Sequence, residues 1–233
     1  MLMRALVAEL LGTALLLAAI VGSGIMGDHL AGGNVAVALL ANTLATGAAL
    51  VALILTFGAI SGAHFNPVVS LADASQGGLT WSRAWGYSVA QLIGAVLGVG
   101  VADYMFREPV YAWSDHVRSG LPQMVSEAVA TFGLLAVIWG CSRRRSAAVP
   151  FAVGAYITAA YWFTSSTSFA NPAVTLARSL TNTFTGIRPV DVPAFVIAQV
   201  SGAAAATALF RWLVPALATT ADNVVVPREE TGA

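Results

Sequence analysis

The sequence contains no lysine and few charged residues of any kind. Asp, Glu, Lys and Arg make up 9% of its 233 residues, and the eleven basic residues are all arginine. Because a soluble domain carries about 25% charged residues, this composition excludes an ordinary soluble protein. The arginines are also too dispersed to form a nucleic-acid-binding surface, so no nucleic-acid partner is expected.

Cysteine is equally scarce. Cys141 is the only one, which excludes an internal disulfide and a thiol-rich metal cluster. Neither His29 nor His116 has a partner at metal-ligand spacing, and no Ser, His and Asp constellation occurs at helical spacing. The sequence therefore predicts no cofactor, no metal and no enzymatic activity.

What the chain does contain is long apolar runs. Hydrophobic residues make up 58% of the sequence, and about 20 consecutive apolar residues suffice to cross a bilayer. The first run carries Glu9 and is long enough to span, so it is predicted to be a retained helix rather than a signal peptide. The chain is predicted to be an all-α membrane protein with six transmembrane helices, at residues 5–26, 35–60, 82–104, 124–141, 147–164 and 193–213.

Two Asn-Pro motifs stand in this apolar sequence, at Asn66-Pro67-Val68 and Asn171-Pro172-Ala173. Asn favours the N-cap of a helix and Pro its first position. The predicted helices, residues 67–75 and 172–182, would each cover about half of a ~30 Å hydrocarbon core. A single motif is typical of a capped turn, whereas two at corresponding places predict a pair of half-spanning re-entrant helices that meet head to head.

The two halves of the chain repeat. Four landmarks recur 105 to 118 residues apart, namely Glu9 with Glu127, Gly47 with Gly154, Asn66 with Asn171 and Gln91 with Gln199. With three spans in each half the second copy enters from the opposite face, so the repeats are inverted. We expect one channel domain over residues 1–218, with repeats at about 1–105 and 124–218, and a polar tail at 219–233.

These residues resemble the aquaporin and aquaglyceroporin (major intrinsic protein) family. The resemblance rests on the doubled Asn-Pro motif, the lead-in SGAHFNP, the glutamates of spans one and four, and the repeated AQ-x-x-GA elements, and it covers about residues 5–213. It implies a passive channel for small neutral solutes and water. It also implies a homotetramer with one pore per protomer, embedded in the lipid bilayer.

The residues at mid-membrane have predicted roles. The carboxamides of Asn66 and Asn171 are expected to donate N–H groups to a passing oxygen, beside the positive ends of the half-helices. Residues 61–65 and 165–170 should line the channel with carbonyl oxygens, while the buried Glu9 and Glu127 accept the N–H groups of these segments. His64 either lines the pore or pairs with one of the glutamates.

The selectivity filter departs from that of the water-selective members the sequence resembles. Ungapped counting places Thr46 where those members have an aromatic residue, Val174 where they have Arg, and Ser168 at a further position. The span-five position falls on Ala159, with Tyr156 and Tyr161 as alternatives. Loss of the aromatic ring and the guanidinium predicts a wide, weakly polar filter.

Such a filter favours uncharged solutes larger than water, such as glycerol, urea and arsenite. The pairing of Thr with Val resembles a bacterial branch of the family associated with arsenic resistance. Arg178 follows Val174 by one helical turn and either restores a charge at the outer mouth or binds headgroups and loop carbonyls. A secondary active transporter and a water-dominant channel are the alternatives, since carriers also use inverted repeats and broken helices.

Arginine distribution predicts the orientation. One side of the membrane is assigned seven arginines, Arg4, Arg83, Arg143, Arg144, Arg145, Arg211 and Arg228, and the other side four, Arg107, Arg118, Arg178 and Arg188. The richer side is expected to be cytoplasmic. We therefore expect a multi-pass protein of the inner (plasma) membrane with both termini in the cytoplasm.

Overall fold

The computed structural model describes residues 2–142 and 146–214. In these ranges the chain forms eight α-helices and three short 3₁₀ turns. The helices are α1 (Leu2–Leu30), α2 (Val35–Ser61), α3 (Pro67–Ser75), α4 (Trp81–Phe106), α5 (Leu121–Ser142), α6 (Val149–Phe163), α7 (Pro172–Ala177) and α8 (Val192–Leu213). The predicted link of three arginines and the predicted polar tail lie outside the described residues.

Six helical segments are long and apolar enough to cross a membrane. Five are built on α1, α2, α4, α5 and α8, and the sixth on α6 with the 3₁₀ turn that precedes it. They coincide with the six runs predicted from the sequence to within a few residues at each end. The predicted class, an all-α membrane protein with six spans and two shorter helices, is confirmed.

The two short helices begin as predicted, at Pro67 and Pro172. The first also ends as predicted, at Ser75. The second is shorter than predicted, because α7 stops at Ala177 and a 3₁₀ turn continues only to Leu180. The carbonyls of Arg178 and Ser179 accept N–H groups from Ile187 and Ser114 of outer loops instead of extending the helix.

Small residues let the long helices pack at backbone contact distance. A Cβ added at Gly98 of α4 would lie 2.2 Å from the Ala14 carbonyl of α1, and one at Gly202 of α8 would lie 2.3 Å from the Ala128 carbonyl of α5. These are the corresponding helix pairs of the two halves. Only glycine permits this approach, which also brings the short helices into the interior.

A third close contact joins the two halves. A Cβ added at Gly154 of α6 would lie 2.8 Å from the Gly47 carbonyl of α2, and one at Gly47 would lie 3.2 Å from the Gly154 carbonyl. This reciprocal pair relates α2 to α6 as the inverted repeat requires. Seven of the nine residues of the short helix α3 are buried in the interior of this helix bundle.

Candidate functional site

Asn66 and Asn171 cap the two short helices in the same way. The Asn66 Oδ1 accepts the N–H of Val68 at 3.1 Å, and the Asn171 Oδ1 accepts the N–H of Ala173 at 2.9 Å. Proline follows each Asn, and its fixed φ suits the first turn of a helix. Capping therefore holds each amide oxygen against its own helix and turns the amide nitrogen away from it.

The two amide nitrogens cross between the halves of the molecule. Asn66 Nδ2 donates to the Ala170 carbonyl and Asn171 Nδ2 donates to the Phe65 carbonyl, both at 2.8 Å. Because a carboxamide has two N–H groups, each Asn retains one for a further acceptor. The helix N-termini thus face each other in the middle of the molecule.

The segments before the short helices have a repeated backbone conformation. Ala63 and Phe65 in one half, and Ser168 and Ala170 in the other, have φ between 48° and 51°. This left-handed region costs a residue with a Cβ roughly 1–2 kcal/mol. The conformation persists because neighbouring side chains bond to the backbone of both segments.

Glu9 and Glu127 provide those bonds. Glu9 accepts the N–H of His64 at 3.0 Å and of Phe65 at 2.7 Å. Glu127 accepts the N–H of Phe169 and of Ala170, both at 2.9 Å. Both carboxylates are fully buried. They occupy the acceptor positions that the sequence predicts for them.

Gln91 and Gln199 complete these networks, a role that sequence analysis missed. Gln91 Nε2 donates to Glu9 at 2.7 Å and to Ser70 of α3 at 3.0 Å. Gln199 Nε2 donates to Glu127 at 2.6 Å and to Thr175 of α7 at 2.8 Å. The repeated AQ-x-x-GA elements were the available signal, since a buried Gln at equivalent positions of two repeats requires partners.

A cavity runs past both asparagines. Its volume is about 60 Å³, so it is narrow. Most of the wall is apolar, with residues from α1, α2, α5 and α6. Its polar side chains include Thr46, His64, Asn66, Ser168, Asn171 and Arg178.

The predicted site residues divide into two groups. Val174 lies in the cavity wall with the six polar residues just named. Pro67, Val68, Pro172 and Ala173 form the first turns of α3 and α7 and do not belong to that wall. These four act on the cavity only through the position they give to the asparagines.

The assignment of Ala159 to the filter is wrong. Ala159 is exposed on the outer surface of α6, whereas Val153, Ile157 and Tyr161 of the same helix line the cavity. Residues four apart share a helix face, and a residue two positions further is turned by about 200°. The position found by ungapped counting therefore lies on the face of α6 that points away from the cavity.

Tyr161 returns aromatic bulk to the cavity. Its hydroxyl donates to Thr46 Oγ1 across 3.3 Å, and the two residues are 3% and 1% exposed. The space left by the missing aromatic of span two is therefore partly filled from span five. The other alternative, Tyr156, donates its hydroxyl to the Ala130 carbonyl of α5 and is not part of the cavity wall.

Arg178 restores a positive charge to the wall. It is 2% exposed, its Nε donates to the Thr185 carbonyl, and its guanidinium carbon lies 3.5 Å from the centroid of the Phe169 ring. Burial excludes the alternative in which Arg178 binds lipid headgroups, whereas the contact with a loop carbonyl is present. The position of Arg178 in the cavity wall agrees with the predicted alternative in which it restores a charge beyond Val174.

Arg118 is a second buried arginine that sequence analysis missed by treating residues 106–123 as a solvated connection. Its Nε donates to the Gly186 carbonyl at 2.7 Å, and its guanidinium carbon lies 4.9 Å from the Phe169 centroid. Burial lowers the pKa of Arg118 to about 10, which leaves it protonated at neutral pH. Two guanidiniums thus approach one aromatic ring.

His64 lines the cavity but does not pair with a glutamate through its side chain. Its Nδ1 lies 3.1 Å from Ser70 Oγ and its Nε2 lies 3.7 Å from the Asp73 carboxylate. Only its backbone N–H reaches Glu9. Of the two roles predicted for His64, lining the pore fits its position, and its imidazole lies beside Asp73 of α3.

A membrane-spanning helical bundle with two half-helices meeting end to end beside a lined cavity defines a channel protein. The profile of the major intrinsic protein family matches residues 1–164 and 142–232. The chain belongs to this family and is a passive membrane channel for small neutral solutes, not an enzyme.

Individual relatives agree with this assignment. The chain is similar to the aquaglyceroporin AqpS of Rhizobium meliloti (strain 1021), with 58% identity over 210 residues that cover 90% of each chain. It is also similar to the aquaporin NIP1-1 of Zea mays, with 38% identity over 96 residues covering 40% of this chain and 34% of the relative. The aquaglyceroporin of Plasmodium falciparum shares the fold, with a TM-score of 0.73, 20% identity, and coverage of 93% of this chain and 99% of that one.

Proposed function

We propose that the channel conducts glycerol-sized polyols, urea and neutral metalloid hydroxides such as arsenite, together with water. The observation that carries this proposal is the cavity that passes both capping asparagines with Thr46 and Val174 in its wall. A hydroxyl-bearing solute finds donors there, while the apolar part of the wall accepts its carbon skeleton. Arsenite belongs to the proposal because its neutral form presents hydroxyl groups much as a small polyol does.

The asparagines set how a solute crosses the middle of the channel. Each amide oxygen is held by its own half-helix, so an amide can donate to a solute oxygen but offers it no acceptor. A water molecule that accepts a hydrogen bond from both amides has both of its lone pairs occupied. It could therefore not accept a proton from a neighbouring water. Uncharged solutes pass with their oxygens solvated, whereas protons are hindered.

The proposed filter combines Thr46, Tyr161, Val174 and Ser168 near the outer half of the cavity. Tyr161 supplies an aromatic ring from α6 and donates its hydroxyl to Thr46, while Val174 supplies a small apolar side chain from α7. The α6 side of the filter therefore carries the bulkier side chain, and the α7 side the smaller one. We propose that this asymmetry admits solutes of glycerol size.

A coupled carrier is the main alternative, and the buried carboxylates decide against it. Such a carrier needs ionisable groups that exchange protons or ions at the midplane. Glu9 accepts four hydrogen bonds and Glu127 accepts three, so both are committed to holding backbone and glutamine N–H groups. Accumulation of solute against its gradient, driven by protons or sodium, would favour the carrier.

The Val174→Arg variant tests the proposed filter. The added guanidinium should narrow the apolar side, so we expect glycerol and arsenite permeability to fall about tenfold or more while some water permeability remains. Stopped-flow uptake of water, glycerol, urea and arsenite into proteoliposomes measures this. Val174→Leu is the matched control, because it changes shape without adding a charge or donors.

Unchanged glycerol uptake by Val174→Arg would place the filter elsewhere. A water-dominant channel would show itself in the unmodified protein, as rapid water flux with no glycerol flux above that of empty liposomes. The first result would contradict the proposed filter, and the second would contradict the proposed conduction of glycerol-sized solutes.

We further propose that the protein lies in the inner (plasma) membrane with both termini cytoplasmic. The support is the excess of arginine assigned to that side. A homotetramer is proposed on the family resemblance alone, and native mass spectrometry of the detergent-solubilised protein measures the copy number. Exposed apolar side chains such as Leu44 and Phe151 are available to lipid or to neighbouring copies.

A further inference from the structure

Arg178 occupies an unusual place for a charged side chain in a membrane channel. It follows α7 in a 3₁₀ turn, one helical turn beyond Val174, and it is 2% exposed. It nevertheless belongs to the cavity wall. A guanidinium in a low-dielectric wall acts on any ion in the cavity with little screening.

The side chain is fixed in direction. Its Nε is bound to the Thr185 carbonyl, and its guanidinium carbon lies 3.5 Å from the centroid of Phe169. Phe169 is fixed in turn by its N–H bond to Glu127 and by an edge contact with Phe195 at 5.2 Å between ring centroids. Stacking on an aromatic face is a geometry that arginine favours over lysine.

Arg118 adds a second positive charge behind the first. It is 9% exposed, and its guanidinium carbon is 4.9 Å from the same ring centroid. Its Nε and NH1 are bound to the carbonyls of Gly186 and Ser166 at 2.7 and 3.2 Å, so it is held by backbone rather than by a carboxylate. The pair therefore keeps its positive potential instead of cancelling it locally.

The nearby carboxylates offset the positive charge of the two arginines only in part. Glu127 is committed to the N–H groups of Phe169, Ala170 and Gln199. Asp191 accepts the backbone N–H of Arg118 and forms an ion pair with Arg188 at 3.0 Å. Two guanidiniums thus act on the outer half of the cavity together with one fully engaged carboxylate.

We propose that Arg178, supported by Arg118, is the electrostatic barrier against cations in this channel, displaced by one helical turn from Val174. This proposal rests on the proposed channel function and deepens it. The displacement separates two tasks: Val174 leaves room for uncharged solutes, while the guanidinium beyond it repels cations. The N–H groups of Arg178 other than Nε form no hydrogen bond within the described ranges, so they also supply donors to a solute hydroxyl.

The test measures cation leak and glycerol flux in the same proteoliposomes. Arg178→Gln should raise proton and sodium conductance per inserted channel at least tenfold, equivalent to about 1.4 kcal/mol of lost barrier, while glycerol flux above that of empty liposomes shows that the channels are inserted and open. Arg178→Lys keeps the charge and should exclude cations nearly as well as the unmodified protein. Arg107→Gln is the matched control, because it removes an exposed arginine on the same side of the membrane.

A double variant gives a rescue. Adding Val174→Arg to Arg178→Gln returns a guanidinium to the same helix face one turn earlier, so cation exclusion should return while glycerol flux falls. A merely structural role for Arg178 would not be rescued by a charge at another position.

The possible outcomes distinguish failure of the barrier proposal from failure of the proposed channel function. Unchanged cation leak in Arg178→Gln, or equal leaks in the Gln and Lys variants, overturns the barrier proposal. If Arg178→Gln does not yield folded protein, Arg118→Gln takes its place, and a cation leak no greater than that of Arg107→Gln overturns the proposal. Failure of the unmodified protein to conduct glycerol refutes the proposed function instead, whatever the leak measurements show.

Discussion

At the scale of single residues, the constriction is assembled from side chains that stand away from the expected positions. Tyr161 of α6, one of the predicted span-five alternatives, brings an aromatic ring to a wall in which α2 carries Thr46, and Arg178 lies one turn beyond Val174. Thr46 and Val174, which do stand at the expected positions, are small. The cavity therefore has an aromatic ring and a fixed charge with an apolar gap between them.

Tyr161 is testable through the size of the solutes that pass. Tyr161→Ala removes the ring from the cavity wall, so we expect xylitol uptake to rise by about tenfold relative to glycerol. Tyr161→Phe keeps the ring and loses only the bond to Thr46, so it should change this ratio little. Osmotic uptake into proteoliposomes measures both.

The control for this series is Tyr104→Ala, since Tyr104 is 78% exposed on α4 and remote from the cavity. An unchanged xylitol to glycerol ratio in Tyr161→Ala would show that the ring does not limit passage.

At the scale of elements, each short helix and the segment before it depend on one buried carboxylate. Glu9 and Glu127 sit in α1 and α5, and each bonds two backbone N–H groups and one Gln of a third helix. The Gln also bonds a hydroxyl of the short helix, Ser70 in one half and Thr175 in the other. The short helices are thus held by side chains of two long helices each.

Replacing Glu9 or Glu127 by Gln should lower the stability of the folded protein by similar amounts. In Glu127→Gln one acceptor oxygen becomes an NH₂ donor, which leaves either the Phe169 N–H or both the Ala170 and Gln199 N–H groups without this acceptor, at a cost of about 1–3 kcal/mol for each buried group. We expect a lower thermal unfolding temperature in detergent, followed by tryptophan fluorescence, and a comparable decrease for Glu9→Gln.

Glu108→Gln is the control for these two variants, because Glu108 lies in a loop and its carboxylate is 3.6 Å from His29 rather than at a segment that precedes a short helix. If Glu127→Gln unfolds at the temperature of the unmodified protein, the carboxylate does not hold the segment.

The helices could be predicted from the sequence more accurately than the residues that line the cavity. The starts of α3 and α7 could be predicted because the capping preferences of Asn and Pro are local. The acceptor role of Glu9 could be predicted because a buried carboxylate near exposed backbone N–H groups has few other uses. Neither prediction depends on how the helices are rotated about their axes.

Which residues line the cavity depends on how each helix is rotated about its axis and on loops that are distant in the sequence. Ala159 was misplaced because a change of two residues in register turns a helical side chain to the opposite face. Arg118 was missed because its burial comes from loops around residues 166 and 186, which only the folded chain brings together. These features follow from tertiary packing, which a local pattern does not encode.

At the scale of the whole molecule, the two halves are inverted copies that share one cavity. Corresponding helix pairs, α1 with α4 and α5 with α8, pack through glycine in the same way. The reciprocal contact of Gly47 with Gly154 joins the copies. An inverted arrangement of this kind exposes equivalent ends of the two halves to opposite sides of the membrane.

The proposed orientation can be tested with Cys141, the single cysteine of the sequence. It lies in the last turn of α5, immediately before the arginine-rich link. We expect a membrane-impermeant maleimide to label it in inside-out vesicles and not in intact cells. Cys141→Ser gives the background.

Cys141 is partly buried, so a second label at Ser146→Cys in the Cys141→Ser background keeps the test decisive. Labelling of either site in intact cells would reverse the assigned topology.

The crossed bonds between each asparagine and the carbonyl before the opposite half-helix have an evolutionary consequence. A single repeat alone in a membrane would leave both its amide and its carbonyl without partners in hydrocarbon, where each such group costs several kcal/mol. A one-repeat ancestor could have satisfied them only by associating with a copy inserted upside down. Fusion of the two genes would then let the lining of each half diverge, so that Thr46 precedes Gly47 in one half and Val153 precedes Gly154 in the other while the asparagines are alike.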